Sequence, residues 1–334
     1  MLFCQKIDMY GIAVECLRLV KRYLFIGGIS MQEITIVTAF FDIGRENWQG
    51  FKRDNGKYVE YFKFWARMRN KIVVYTDQET ARQVVSIRNS FGLADRTQIV
   101  VIDDITLLDS EVYQCMEKVL SNDLAIKFRD KPGNPESYNS LYNYVMYLKP
   151  YFIADAVNRG LADGMIAWMD FGYNHGGSFY TNPLDFDFLW QYDFSHKIHV
   201  FAVDPLDDTP VFEIVRRMKT YVAGGIIIAP AELWQVLVSF FREALFNLAS
   251  CGMMDDDQTL LIMAYREHPE YFEIHSIEDF FCPIKDFGGY HLTSVQLKQS
   301  KQTRKIARRF LHNGEYPQAL KCYFKYVMQK IQSI

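Results

Sequence analysis

Apolar residues recur along this chain in two rhythms, short unbroken runs and longer segments at helical spacing. EITIVTAFFD (33–42) is a β-branched apolar run that ends in polar residues, which predicts a buried strand followed by a loop. Tyr58, Tyr61, Phe62, Trp65 and Met68 share one helical face, so 58–69 is predicted as an amphipathic helix. KIVVYTD (71–77) is a second strand, ETARQVVSIRNSFG (79–92) a helix closed by Gly92, and TQIVVIDD (97–104) a third strand. The polar stretch RDKPGNPES (129–137), with two prolines and a glycine, is expected to lack regular structure. A long helix follows over 140–160, with a kink or restart at Pro150. GMIAWMDFGYNHGG (164–177) runs from a fourth strand into a glycine-rich loop, HKIHVFAVD (196–204) is a fifth strand, and YVAGGIIIAP (221–230) a sixth. Helices are predicted over 231–250 and 255–269, the latter with acids in its first turn.

Strands that are apolar throughout, alternating with helices, predict a mostly parallel sheet covered on both faces. In such sheets ligands sit beyond the carboxyl ends of the strands, so the loops after Thr38, Tyr75 and Ile102 lie on the functional edge. Three segments are expected: a helical extension (1–30), the α/β domain (31–295), and a basic helical hairpin (296–334) turning at Asn313 and Gly314. Within the hairpin, GEYPQALKCY resembles half of a tetratricopeptide repeat, and one copy does not make an array.

Composition narrows the function classes. The chain has 334 residues, is 49% hydrophobic and carries a net charge of -3, so it can bury a large core and offers no basic field for nucleic acid. Its six cysteines show no paired spacing, which argues against a zinc cage or a disulfide framework and favours a reducing compartment. No apolar run reaches the roughly 18–20 residues of a membrane helix, and the N-terminus lacks the layout of a signal peptide. A cytoplasmic protein is expected, peripheral at the inner membrane if the basic helices contact it or a protein partner.

Candidate chemistry begins with Asp170, which ends a buried strand at the ligand edge. A carboxylate there needs a cation or a donor, and the competing role is to cap the Gly172–Gly177 loop. The helix before that strand carries Tyr142 and Lys149. Gly224 and Gly225 permit close backbone approach to a sugar or phosphate. Asp255, Asp256 and Asp257 exceed what a helix start requires; Asp255 could be the N-cap, and one of the three could be held for a substrate hydroxyl or as a general base. Arg45, with Lys52, Arg53 and Lys57, forms a local basic group suited to phosphate. His196 and His199 are three apart, a spacing that does not put two ligands on one strand face, while His175 and His291 lie in glycine-rich turns. GxSxG, P-loop, HExxH and GxGxxG patterns are absent.

The order of these segments resembles the GT-A glycosyltransferases. ITIVTAFFDIGR, KIVVYTD, YLKP and WMDFGYNHGG look like the bacterial HtrL/YibB family, which is associated with lipopolysaccharide-core gene regions. The resemblance spans about residues 32–290. It implies a GT-A-like (Rossmann-like), mostly parallel mixed sheet flanked by helices, with a helical tail. By the same resemblance Thr38, Ala39 and Phe40 would receive the nucleotide, with Arg45 and Lys149 nearby. Gly224 and Gly225 would border the donor sugar, and Asp256, Asp257 and Gln258 would face donor and acceptor hydroxyls, with Asp256 or Asp257 catalytic. Asp170 and His291 would hold Mn2+ or Mg2+. The expected reaction moves a sugar from a nucleotide sugar, UDP-linked, to an envelope glycan such as lipopolysaccharide core or capsule. The pattern departs at Asp170-Phe171-Gly172, where the second acid of Asp-x-Asp is missing. That leaves three alternatives: a metal held by one acid, His291 and diphosphate; a metal-independent enzyme; or a degenerate fold that binds glycans or scaffolds other enzymes. A sugar-phosphate nucleotidyltransferase fits less well, since AFFDIGREN has a single glycine.

Overall fold

The computed structural model describes residues 32–48, 54–295 and 316–331, with Thr303, Ala307, Arg308 and Leu311 in between. The expected N-terminal helical extension, Lys52, Arg53, and nearly all of the first tail helix and its turn lie outside the described residues.

Seven strands form one sheet in the order β3-β2-β1-β4-β6-β5-β7. They are β1 (Thr35–Phe40), β2 (Ile72–Thr76), β3 (Thr97–Val101), β4 (Met165–Met169), β5 (Ile198–Ala202), β6 (Ile226–Pro230) and β7 (Phe272–Ser276). All pairings are parallel except those of β6, which runs antiparallel to β4 and β5. This is the mixed, mostly parallel sheet that the resemblance implied. Every residue of β2, β4, β5 and β6 is buried, as expected for strands with helices on both faces.

The helices that matter for the site are α1 (Asn55–Trp65), α2 (Gln78–Ser90), α3 (Ser110–Leu120), α4 (Ser140–Tyr147), α5 (Lys149–Asn158), α6 (Ala231–Ser250) and α7 (Asp257–Glu267). One sheet face, with Val37, Tyr75, Trp168 and Ile227, packs on Phe152, Met116, Leu237 and Leu261 from α5, α3, α6 and α7. The other, with Ile36, Val74, Met169 and Ile228, packs on Phe62 and Trp65 of α1, Val84 of α2, and an aromatic segment that includes Tyr180, Phe186 and Trp190. The large indoles are buried with their polar handle satisfied: Trp65 donates to the Phe171 carbonyl (3.2 Å) and Trp234 to that of Ala229 (3.1 Å).

The predicted long helix is two helices. Pro150 cannot donate a backbone hydrogen bond, so the chain breaks at Leu148 and restarts with Lys149 and Pro150 in the first turn of α5. The loop expected at 129–137 contains a short helix, Pro135–Tyr138, because proline is well placed at a helix start. The tail helix α8 (Tyr316–Ile331) exposes Leu320, Phe324, Val327 and Met328 on one side. Among the described residues, no helix is long and apolar enough to cross a membrane.

Candidate active site

Because β1 and β4 are parallel neighbours and β6 is antiparallel, three chain segments meet at one sheet edge. They are the carboxyl ends of β1 (Ala39, Phe40) and β4 (Asp170) and the Gly224–Gly225 pair that precedes β6. The Asp170 amide donates to the Gly225 carbonyl (2.9 Å), extending this pairing one step past the strands. A cavity of about 380 Å³ opens there, within the range usual for small-molecule sites. Ala39, Phe40, Arg45, Asp170, Gly224, Gly225 and Gln258 line it, together with Tyr58, Tyr142, Trp168, Phe171, His175 and Phe281.

Beneath this wall lies Lys149, 1% exposed. Its ammonium contacts Asp257 Oδ2 (2.8 Å), the Gly224 carbonyl (2.9 Å) and Asp170 Oδ1 (3.1 Å). Three donors thus meet three oxygens, as a buried ammonium requires. Burial alone would lower its pKa, but the Asp170 and Asp257 carboxylates outweigh this and raise it above the ordinary lysine value. Asp257 is equally buried, and its pKa is pushed up to about 6 by burial, against the opposing pull of Lys149. Asp256 is raised as well, first by burial of its carboxyl and then by Asp257 and Asp255 beside it.

Asp170 keeps one face towards the cavity. Oδ1 accepts from Trp168 Nε1 (2.7 Å) and Lys149, and the side chain is 39% exposed. It does not cap the following loop. That work falls to Asn174, fully buried, whose Oδ1 accepts from the Phe179 and Tyr180 amides (2.9 and 2.7 Å) while Nδ2 donates to the Tyr180 carbonyl (3.0 Å). Asn174 and His175 both adopt positive φ (65° and 44°), an uncommon backbone for residues with a Cβ that is concentrated at functional sites. His175 packs against Tyr61 and Phe281 at the cavity wall.

Arg45 is buried among the rings of Phe40 (5.0 Å), Tyr58 (5.1 Å) and Trp48 (5.8 Å) and donates to the Phe41 carbonyl (2.6 Å). It therefore supplies a cation to the aromatic side of the cavity.

Several expected roles need correction. Thr38 is fully buried within β1, and its hydroxyl has no hydrogen-bond partner; it is not part of the cavity wall, which begins one residue further along the strand with Ala39 and Phe40. Asp257 is sealed behind Gly224, where a Cβ would come within 2.9 Å of the carboxyl carbon, so it cannot touch an acceptor. The glycine pair makes room for these carboxylates in the first instance. Asp256, not Asp255, is the N-cap of α7 and accepts from the Gln258 amide (3.1 Å); neither lines the cavity. Asp255 instead pairs with the buried Arg129 (3.0 Å) and accepts from Thr259 (2.7 Å).

His291 is not brought to Asp170. It bonds the Asp185 carbonyl (2.9 Å), packs on Phe188, and is absent from the cavity wall. At position 172, where a second acid would stand, a Cβ would lie 3.1 Å from the Tyr58 ring. With one Asp170 oxygen committed to Trp168 and an ammonium 3.1 Å away, this donor set does not fit Mn2+ or Mg2+ held in the Asp-x-Asp manner. Spacing along the chain also missed a different cluster, His199 with Glu273 and His275, which only the pairing of β5 with β7 brings together.

Protein HtrL of Escherichia coli (strain K12) is 29% identical to this chain over 257 residues, covering 72% of this chain and 87% of that protein. The crystal structure of mouse xyloside xylosyltransferase 1, apo form, is similar at a TM-score of 0.38 and 10% identity, over 73% of this chain and 85% of that one. Residues 32–287 match the family described as "Bacterial protein of unknown function (HtrL_YibB)". The chain belongs to the HtrL/YibB family.

Proposed function

We propose that the chain is a glycosyltransferase that takes a nucleotide sugar, UDP-linked, as donor and an envelope glycan such as lipopolysaccharide core as acceptor. The observation that carries this reading is the convergence of seven expected donor-site residues on one cavity at the carboxyl edge of the sheet, above a buried lysine. The aromatic side, with Phe40, Tyr58 and Tyr142, suits a base, and Arg45 suits phosphate oxygen. Asp170, held by Trp168 and Lys149, offers its remaining oxygen to a sugar hydroxyl. In the transfer, the bond from the anomeric carbon to diphosphate breaks as the acceptor oxygen bonds to that carbon. The acceptor proton passes to a base, and Asp170 is the carboxylate in the described wall that can take it. Lys149 offsets one of the two carboxylate charges of Asp170 and Asp257, and Arg45 supplies a second cation at the cavity, which together favour an anionic donor without a divalent ion. The exposed side of α8, with Lys321 and Lys325 beside its apolar residues, is the surface we assign to peripheral contacts.

Calorimetric titration with UDP and UDP-sugars, in chelator and then with Mn2+, tests this. Binding that Mn2+ changes less than about threefold, and that D170N weakens at least tenfold with its melting transition intact, is expected. Failure to bind any nucleotide sugar would overturn the reading. A second reading, a fold that binds sugars without transferring them, is favoured by the glycine at 172. It would show as binding of the donor with no release of nucleoside diphosphate in the presence of acceptor glycan.

A further inference from the structure

A second cluster lies away from this cavity, on the outer strand pair. β7 is the outer strand of the sheet and pairs in parallel with β5, setting His199 opposite Glu273 and Phe201 opposite His275. Side chains two apart on a strand share a face, so His199, Glu273 and His275 project together. His199 Nδ1 lies 2.8 Å from His275 Nε2 and 4.0 Å from Glu273 Oε2, and His275 Nε2 lies 3.8 Å from Glu273 Oε1.

The surroundings orient these atoms. His199 Nε2 meets the Ser195 carbonyl at 2.8 Å. A carbonyl only accepts, so that nitrogen carries the proton, and in the neutral ring the lone pair is on Nδ1, the atom that faces the other two ligands. The Ser195 hydroxyl donates to Glu273, so one residue positions both a histidine and the carboxylate. Phe194 lies against His199, and Phe201 and Phe287 against His275, fixing both rings.

We propose that His199, His275 and Glu273 bind a borderline divalent ion such as Zn2+, clamping the outer strand β7 to β5 and leaving a fourth position open to solvent. Zinc bonds of about 2.0–2.1 Å in tetrahedral geometry set ligand atoms about 3.3 Å apart. His199 Nδ1 and His275 Nε2 are 2.8 Å apart, and with one Glu273 oxygen all three ligand atoms lie within 4.8 Å of one another, so the histidine tips part by about half an ångström and the half-exposed carboxylate closes in by up to about 1.5 Å to meet that spacing. Glu273 is half-exposed and gives the ion its way in.

The test uses the full chain, stripped of metal and titrated with Zn2+ against a chromogenic chelator. Wild type should take up one equivalent and melt at a higher temperature with zinc. H275A and E273Q should each bind at least about tenfold more weakly and lose the thermal shift, as removing a metal contact does. D170N should bind as wild type. H275A leaves a gap beside Phe201, so E273Q, nearly isosteric on a half-exposed residue, is the deciding variant. No competition with the chelator would overturn the proposal, as would equal affinity in E273Q. Either result would leave the three side chains as a hydrogen-bonded histidine pair beside a surface acid.

Discussion

Removing the Lys149 ammonium while keeping its bulk, as in K149M, isolates the charge at the centre of the cavity floor. The pair it forms with Asp257 is 2.8 Å long, with both side chains 2% exposed. Unit charges at that separation attract by roughly 6 kcal/mol at an effective dielectric of about 20. Desolvating two ions costs several kcal/mol each, so the net worth of the pair is small, and the large penalty comes from leaving one charge without the other. K149M should therefore destabilise the fold by about 3–5 kcal/mol. D257N added to K149M removes the stranded carboxylate and should recover at least about 2 kcal/mol of that loss. Because Asp257 can escape its isolation by taking up a proton, the K149M penalty should shrink in acid and grow towards pH 8. Urea denaturation followed by tryptophan fluorescence reads all four proteins of the cycle, the wild type, K149M, D257N and the double variant, with the Trp168 ring 5.8 Å from the Lys149 ammonium. Strict additivity of K149M and D257N would refute the reasoning, since uncoupled effects mean that the 2.8 Å contact carries no energy.

Three further outcomes follow from the same floor and from the sheet edge behind it. G224A should cost well over 1 kcal/mol in the same assay and weaken nucleotide-sugar binding, because its methyl group collides with the Asp257 carboxylate that Lys149 holds in place. The folded-state pKa of Asp257 is raised from the ordinary carboxylate value to about 6, so the folded chain binds the extra proton in that window. Its contribution to stability is therefore lost as pH rises through the window, and D257N should flatten the pH profile there. R88K should destabilise by about 3 kcal/mol. The fully buried Arg88 donates to the carbonyls of Ala66, Met68 and Asn70, and an ammonium on a straight stem cannot reach all three.

β2, β4, β5 and β6 were legible because burial on both faces keeps them apolar almost throughout, and IVVYT or IIIAP cannot be read as anything exposed, while β1 and β3 were legible from their β-branched runs. β7 was not. As an outer strand it buries only Phe272 fully, and Glu273 and His275 break the apolar run. The segment 110–120, where α3 begins under an Asp109 cap, is likewise absent from the predicted helices, although Val112, Met116 and Leu120 share a helical face. Asp170 could be picked out because strand position and residue type together determine it. The destination of Asp257 could not, since its partner Lys149 is 108 residues away and nothing local links the two. His291 illustrates the converse: a turn rich in glycine gave it apparent freedom, and Asp185 and Phe188 claim it. For His199, spacing within one strand was the wrong measure, because its partners lie on the neighbouring strand.

Gly172 has a consequence for how this site can change over time. Its backbone is ordinary (φ -85°), so an aspartate there meets no conformational barrier. What it meets is Tyr58, whose ring also stacks on Phe40 (5.0 Å) and lies under Arg45. Placing a second acid at 172 thus requires the Tyr58 ring to give way by a few tenths of an ångström, and that ring is the one Arg45 rests on. The acidic and the aromatic sides of the cavity are therefore coupled: a paired acid is gained by shifting the surface that holds the cation, and a library aimed at the two-acid arrangement should vary positions 172 and 58 together.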